Sequence, residues 1–276
     1  MSTSGMVNPK LWSISSNFSL VTALAHLEKY KHFIKWKPNA SILEIGFANG
    51  FNSSRSLVPM LPHDYKEFIA TDISQDMLED ARESCVIPRS SIMQMDVTEN
   101  IPNEFRERFD HIFSFFTLHR VKNPRKAFEN VHKMLKPNGM MFLSFFERSP
   151  VDDIFVRLAE HPKWCKYKQD NMVSTYFHSE SPRDEYIRDL EAASFKNYLF
   201  NVETESYSYS SEKEFDDSLI AVNGILPHVE DKDYNEYIQD YLDEKYRSQV
   251  FRMTNKNGTT NVSFSSNLFV VIASKS

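Results

Sequence analysis

Apolar positions in the first half of the chain alternate between short runs and helical stripes. Leu20, Ala23, Leu24, Leu27 and Phe33 recur at helical spacing and predict an amphipathic helix ending near Pro38; Met1 to Ser16 before it read as loose. Ile42–Ile45 and Phe68–Thr71 read as strands, with a helix-forming stretch from Ser53 to Leu61 between them. Ser74 is placed to cap a helix whose buried stripe is Met77, Leu78 and Ala81. Ser91–Met95 reads as a third strand ended by Asp96. His111–Phe116 reads as a fourth, apolar almost throughout, as a strand buried on both faces should be. Pro124 suits a first helical turn, and Ala127, Phe128, Val131, Met134 and Leu135 form the apolar face that follows it. Lys136-Pro137-Asn138-Gly139 stops that helix, and Met140–Phe146 is a fifth strand.

The second half changes character. Short helices are expected over Val151–Ala159, Arg183–Ala193, Phe215–Val222 and Asp233–Tyr246, with strands at Tyr198–Val202 and Val262–Ile272 and a turn at Asn257-Gly258. Alternating strands and helices, joined by right-handed crossovers, give an α/β fold: a doubly wound, mostly parallel, seven-stranded sheet. The late helices would cap the strand tips. We therefore expect a single domain over residues 1–276, with a cofactor-binding half at 38–148 and late strands plus a helical substrate cap at 149–276.

Composition narrows the function. A formal net charge of -6 and the lack of any strongly basic run argue against a nucleic-acid or anionic-membrane partner. The two cysteines, Cys85 and Cys165, are not arranged as CxxC, so reduced thiols, a cytoplasmic home and no metal site are expected. Met1 to Val7 has neither a basic nor an apolar signal region, and Met140–Phe146 is too short to span a bilayer.

The candidate chemistry sits at the ends of the early strands. Strand one runs into Glu44-Ile45-Gly46-Phe47-Ala48-Asn49-Gly50, a loop with glycines four apart. Strand two ends in Asp72, roughly 20 residues further on, the spacing of a ribose-binding acid. A dinucleotide site would hold a pyrophosphate on a G-x-G-x-x-G helix terminus. Here Glu44 would repel a phosphate, and no Walker-type lysine is present. Both facts favour S-adenosylmethionine, which carries an ammonium and a sulfonium but no phosphate. Glu44 would reach its amino-acid end, with Gly46, Ala48 and Gly50 beneath. Asp72 would accept from the ribose hydroxyls and Ile73 would meet the adenine. Asp96, with the amide of Val97, would meet the exocyclic amine. Phe47, Ser114 and Phe115 complete the expected cofactor set.

The chain resembles the class I S-adenosylmethionine-dependent methyltransferases, whose sheet is Rossmann-like, and more closely the juvenile hormone acid O-methyltransferase family. The resembling segments are Phe33-Ile34-Lys35-Trp36-Lys37, Ala70-Thr71-Asp72-Ile73-Ser74, Phe109 to His119, Lys126-Ala127-Phe128, Leu135 to Gly139, Pro150 to Leu158, Pro162-Lys163-Trp164 and the tail from Val262 to Lys275. The resemblance implies methyl transfer to the carboxylate of a farnesoid acid. It has three departures. The family's loop reads D-I-G-C-G-x-G where this chain has Ala48 at the second glycine. Arg120 stands where a tryptophan is common, and Ser19 where a glutamine is.

An acid acceptor is ionised at neutral pH (pKa about 4 to 5 by analogy with side-chain carboxyls), so no base is required. The protein must align the acceptor oxygen with the methyl group in a dry pocket. Phe115, Phe116, Phe146 and Trp164 are expected to build that pocket, with His119 holding the carboxylate. Arg120 would either grip a second acidic group at its mouth by a two-point bond or simply face water. An amine or phenol acceptor would instead use His119 as base. A third reading is a catalytically silent binding protein with the same fold. The expected partner is a small-molecule acid, and the chain a monomer or homodimer.

Overall fold

The computed structural model describes residues 8–256 and 259–276; the turn expected at Asn257-Gly258 lies outside them. Five parallel strands form one side of a single sheet: β1 (Ser41–Ile45), β2 (Glu67–Asp72), β3 (Ser90–Gln94), β4 (Phe109–Phe115) and β5 (Leu135–Phe146). β6 (Asn197–Tyr209) and β8 (Thr259–Ser274) join antiparallel, giving the order β3-β2-β1-β4-β5-β8-β6. An eighth strand, β7 (Arg252–Lys256), pairs with β8 off this path. It escapes the sequence pattern because Arg-Met-Thr-Asn-Lys holds one apolar residue.

Helices cover both faces. Leu43, Ile45 and Ile112 point into a core shared with α4 (Pro124–Met134) and α6 (Pro182–Ala192). Ile42 and Phe113 point the other way, toward α2 (Asn17–Tyr30) and α3 (Gln75–Ser84). Ser74 caps α3 by accepting from the Met77 amide, and Met77, Leu78 and Ala81 are its buried stripe, as the pattern requires. No helix of the described residues is long and apolar enough to cross a membrane.

Three local expectations are corrected. Residues 8–16 are not loose: Asn8 accepts from the Leu11 amide at 3.0 Å, Pro9 opens α1 (Pro9–Ser15), and Trp12 is buried. In α2 the buried face runs through Phe18, Thr22, Ala23, His26, Leu27 and Tyr30, while Leu24 and Phe33 are each 40% exposed. A hydrogen bond of 2.8 Å between His26 Nδ1 and Ser144 Oγ lets a polar residue sit on that face. Finally, residues 51–57 form successive turns rather than an α-helix. Ser54 and Ser56 hydroxyls donate to the carbonyls of Phe51 and Asn52, and the Val58 amide reaches back five residues to Ser53.

A third core lies above the carboxyl ends of the parallel strands. β5 stops pairing with β8 at Phe146↔Leu268, but β6 follows β8 out to Tyr209↔Val262, with β7 on its other edge. This three-stranded ribbon packs with α5 (Asp152–Glu160), α7 (Glu212–Ala221) and α8 (Tyr234–Asp243) into the cap. Trp164 lies at the centre of that cap, not in a substrate pocket. It is 0% exposed, its indole N–H donates to Asp240 at 2.7 Å, and its ring meets Tyr237 edge-on at 5.3 Å. Trp164→Ala is expected to destabilise the protein by about 3–5 kcal/mol in denaturant unfolding; a loss near zero would contradict this placement.

Candidate active site

The loop after β1 is folded onto the tip of β2 by its own backbone. The amides of Gly46 and Phe47 both donate to the Thr71 carbonyl, at 2.8 and 2.9 Å, and the Thr71 hydroxyl donates to the Glu44 carbonyl at 2.9 Å. Gly46 has φ +79° and Gly50 φ +76°, which other residues adopt only with strain. A Cβ on Gly46 would lie 1.8 Å from Thr117 Oγ1, and one on Gly50 2.4 Å from the Phe47 ring. Ala48 itself has φ +51°, an unusual angle for alanine. Its amide donates to Asp72 Oδ2 at 2.8 Å, and the Ser74 amide donates to Asp72 Oδ1 at 2.8 Å.

A cavity of about 550 Å³ opens over these strand tips, within the range of small-molecule sites. At one end it is lined by Gly46, Ala48, Asp72, Ile73, Asp96, Val97 and Phe115, and at the other by Ser19, Phe116, His119, Arg120 and Phe146. The remaining expected residues are elsewhere. Phe47 is in the core, edge-on to Phe68 at 6.1 Å. Gly50 lies behind the loop against Phe47 and Cys85. Ser114 is buried, donating to the Ile45 carbonyl at 2.7 Å. Glu44 is buried beneath the loop rather than on the cavity wall. With Trp164, these side chains support the walls and do not form them.

The structure also brings in residues that the sequence reading passed over. Thr117 closes over Gly46, Trp12 reaches the cavity from α1, and Phe18 reaches it from α2. Lys122 lines the wall two residues beyond Arg120, and Tyr209, Phe215, Phe251 and Phe264 line the cap end. Lys122 had a readable signal, a third basic residue in His119-Arg120-Val121-Lys122. The cap residues had none, because the ribbon carrying them depends on long-range pairing.

Burial sets the electrostatics. Glu44 accepts from Ser53 Oγ at 2.5 Å, its other oxygen has no partner, and burial pushes its pKa up to about 8 despite the serine, with Asp72 adding repulsion. Burial also raises Asp72, against the pull of its amide donors. His119 is held well below the ordinary histidine value by burial, then by Arg120 and Lys122. Its Nδ1 is buried without a hydrogen-bond partner, and its ring stands edge-on to Phe146 at 5.2 Å.

Arg120 corrects the expected two-point grip on a substrate. Its Nη1 donates to Asp152 Oδ1 at 3.1 Å and its Nη2 to Ser149 Oγ at 3.3 Å. Asp152 is fully buried and also accepts from the amides of Ser149 and Ser174. The guanidinium lines the cavity, yet its terminal nitrogens are engaged within the protein. Lys122 donates to the carbonyls of Asp170 and Val173 at 3.0 and 2.6 Å, and burial lowers its pKa. Phe116, at φ +54°, donates its amide to the Ser144 carbonyl at 2.7 Å and sets its ring against Phe18 and Phe146.

This fold, with a ligand-sized cavity at the strand tips, is that of the class I, S-adenosylmethionine-dependent methyltransferases, and residues 43–143 match the methyltransferase domain family. Among relatives, the chain is similar to juvenile hormone acid O-methyltransferase of Bombyx mori, 28% identical with 96% of each chain covered. It is also similar to the enzyme of that name in Drosophila melanogaster, 27% identical over 79% of this chain and 75% of the other. Among solved structures, the YcgJ protein from Bacillus subtilis aligns with a TM-score of 0.59 at 18% identity, covering 92% of this chain and 98% of that one.

Glu44 yields a pH prediction. Its folded pKa, about 8, lies above the ordinary 4.5. Between those values the native state holds a proton that the unfolded chain has released, so this group's stabilising contribution falls as pH rises. Glu44→Gln keeps the shape and removes the titration. The stability of wild type relative to Glu44→Gln should therefore fall between about pH 5 and about pH 8 in ligand-free unfolding curves. A constant difference would mean that Glu44 is already ionised in the fold.

Proposed function

We propose that the chain methylates the carboxylate of a small apolar acid, of which a farnesoid acid is the leading candidate, using S-adenosylmethionine. The observation that carries this reading is the separation of charge along the cavity. Among the described lining residues the only carboxylates are Asp72 and Asp96, both at the glycine-loop end. The basic lining residues, His119, Arg120 and Lys122, all follow β4 instead, with the Arg120 charge met by Asp152 and His119 neutral. That division suits a cationic nucleoside facing an anionic acceptor.

The residues fit this cofactor. Asp72 has used one acceptor site on each oxygen for the Ala48 and Ser74 amides, and an ionised carboxylate retains further sites for a ribose diol. Thr98 holds Asp96 Oδ1 through both its amide and its hydroxyl, at 2.8 and 2.7 Å; the other oxygen would meet the exocyclic amine. No Lys or Arg among the described residues lines the cavity at the glycine-loop end to hold a phosphate. Glu44, buried beneath the loop with one unpartnered oxygen and protonated in the free fold near neutral pH, would favour an ammonium group above the loop by releasing that proton when the group binds. When bound, S-adenosylmethionine would supply a methyl group on an electron-poor sulfur.

The protein's own part is to bind, orient and exclude water. Neutral His119 would donate one N–H to the acceptor carboxylate, which needs no proton removed. Phe116, Phe146 and Phe18 keep that end apolar, which strengthens attraction between opposite charges. A similar name among the relatives supports a farnesoid acid as acceptor. An amine or phenol would need a base, and a histidine held so far below its ordinary value is a weak one. The silent-protein reading loses part of its motive, because Ala48 adopts the left-handed backbone and still reaches Asp72.

The test is product identity. Because His119 stays neutral to low pH, a flat pH–rate profile would fit either role, so acceptors must be compared directly. Labelled cofactor with panels of apolar acids, phenols and amines should give methyl esters only. His119→Ala should lower kcat/KM for the acid by roughly 10- to 100-fold, the worth of one hydrogen bond to a charged group. Label in phenol or amine products, with none in esters, would overturn the proposal.

A further inference from the structure

Four of the cavity's aromatic rings close on one another. Tyr209 on β6 lies 5.1 Å from Phe215 on α7, which lies 4.7 Å from Phe251 before β7. Phe251 lies 6.3 Å from Phe264 on β8, and Phe264 returns to Tyr209 at 6.3 Å. Each ring belongs to a different part of the cap, each lines the cavity, and none is more than 8% exposed. Ring contacts lead back from this quartet to His119: Phe264 to Phe18 at 4.9 Å, Phe18 to Phe146 at 5.7 Å, and Phe146 to His119 at 5.2 Å.

We infer that this quartet is the closed end of the acceptor chamber and sets the longest apolar tail the acid can carry. The inference rests on the carboxylate reading, since it takes the acid's head to lie at His119. A tail running from there meets Phe146 and Phe18 along its sides and the quartet end-on. Four rings fixed by separate backbone segments cannot retreat together, and a close-packed wall resists added methylenes. Removing one ring leaves an apolar space that a longer tail fills, much as apolar cavities made by truncation take up apolar ligands.

Phe251 is the ring to change, because it lies outside the paired strands and helices. The measurement is kcat/KM over a series of straight-chain acids of increasing length, for wild type, Phe251→Ala and Phe251→Leu, with a thermal melt of each. The wild type should show a sharp upper limit of length. In Phe251→Ala that limit should move by about two carbons or more, with kcat/KM for the longer acids rising about 10-fold relative to the shorter ones. Phe251→Leu should move it less, and it carries the test if the alanine variant does not fold. A folded variant that keeps the wild-type length profile, or loses all acids equally, overturns the inference. So does a wild type indifferent to length. If the wild type methylates neither any of these acids nor a farnesoid acid, the carboxylate reading itself falls.

Discussion

One carboxylate holds the ligand end of the fold together. Asp72 closes β2 and accepts the Ala48 amide with one oxygen and the Ser74 amide with the other. The first bond fixes the loop leaving β1, and the second fixes the turn into α3. The Thr71 carbonyl adds the amides of Gly46 and Phe47. Two parallel strands that pair only side by side are thereby joined at their tips, where a sheet of this kind binds its ligand. The bonds also decide which way the loop's amides point. Those of Gly46, Phe47 and Ala48 turn toward β2 and so cannot form the anion cradle of a phosphate site. The choice of a phosphate-free ligand is built into the backbone as well as into the sign of the side chains.

The other end of the cavity is organised by a buried ion pair. Asp152 is inaccessible and would be costly to bury alone. Arg120 neutralises it, and the amides of Ser149 and Ser174 satisfy it further. This one carboxylate thus gathers the turn after β4, the turn after β5 and the segment near 174. Lys122, holding Asp170 and Val173, and Thr175, whose amide donates to the His119 carbonyl at 2.9 Å, fasten the same segment down. The basic residues here serve two purposes. They seal the wall around His119, and they tie it down from two sides, Arg120 through a buried carboxylate and Lys122 through two backbone carbonyls.

Much of the sheet was legible because its strands are short, apolar and regularly separated. Asp72, Asp96 and His119 could be singled out because each follows such a run. What the sequence hid has physical causes. α1 shows only one buried large residue, Trp12, and its contacts with Asn49 run through the Pro9 carbonyl and Ser13, which leave no apolar stripe to read. The buried face of α2 includes Thr22 and His26, whose polarity disguised it until Ser144 supplied a partner across the sheet. Arg120 looked free because its counter-charge, Asp152, is 32 residues away and reaches it only when the turn after β5 folds back. The aromatic end of the chamber depends on β6 and β8 pairing beyond the sheet, which no local periodicity records.

The departure at Ala48 shows how such a site accommodates change. A left-handed alanine costs roughly 1–2 kcal/mol relative to glycine, and nothing in the loop itself relieves that. The methyl group is nevertheless buried, in a small cluster with Trp12, Met77 and Ala221. Those residues belong to α1, α3 and α7, so the extra carbon joins the glycine loop to the N-terminal helix and to the cap at once. Asn49 reinforces the same contact, its amide donating to the Pro9 carbonyl at 3.1 Å and to Ser13 Oγ at 2.8 Å. Glycine at position 48 would relax the backbone but leave Trp12 facing a gap. The alanine is therefore best understood together with α1: backbone strain at the loop is offset by packing against a helix that covers it.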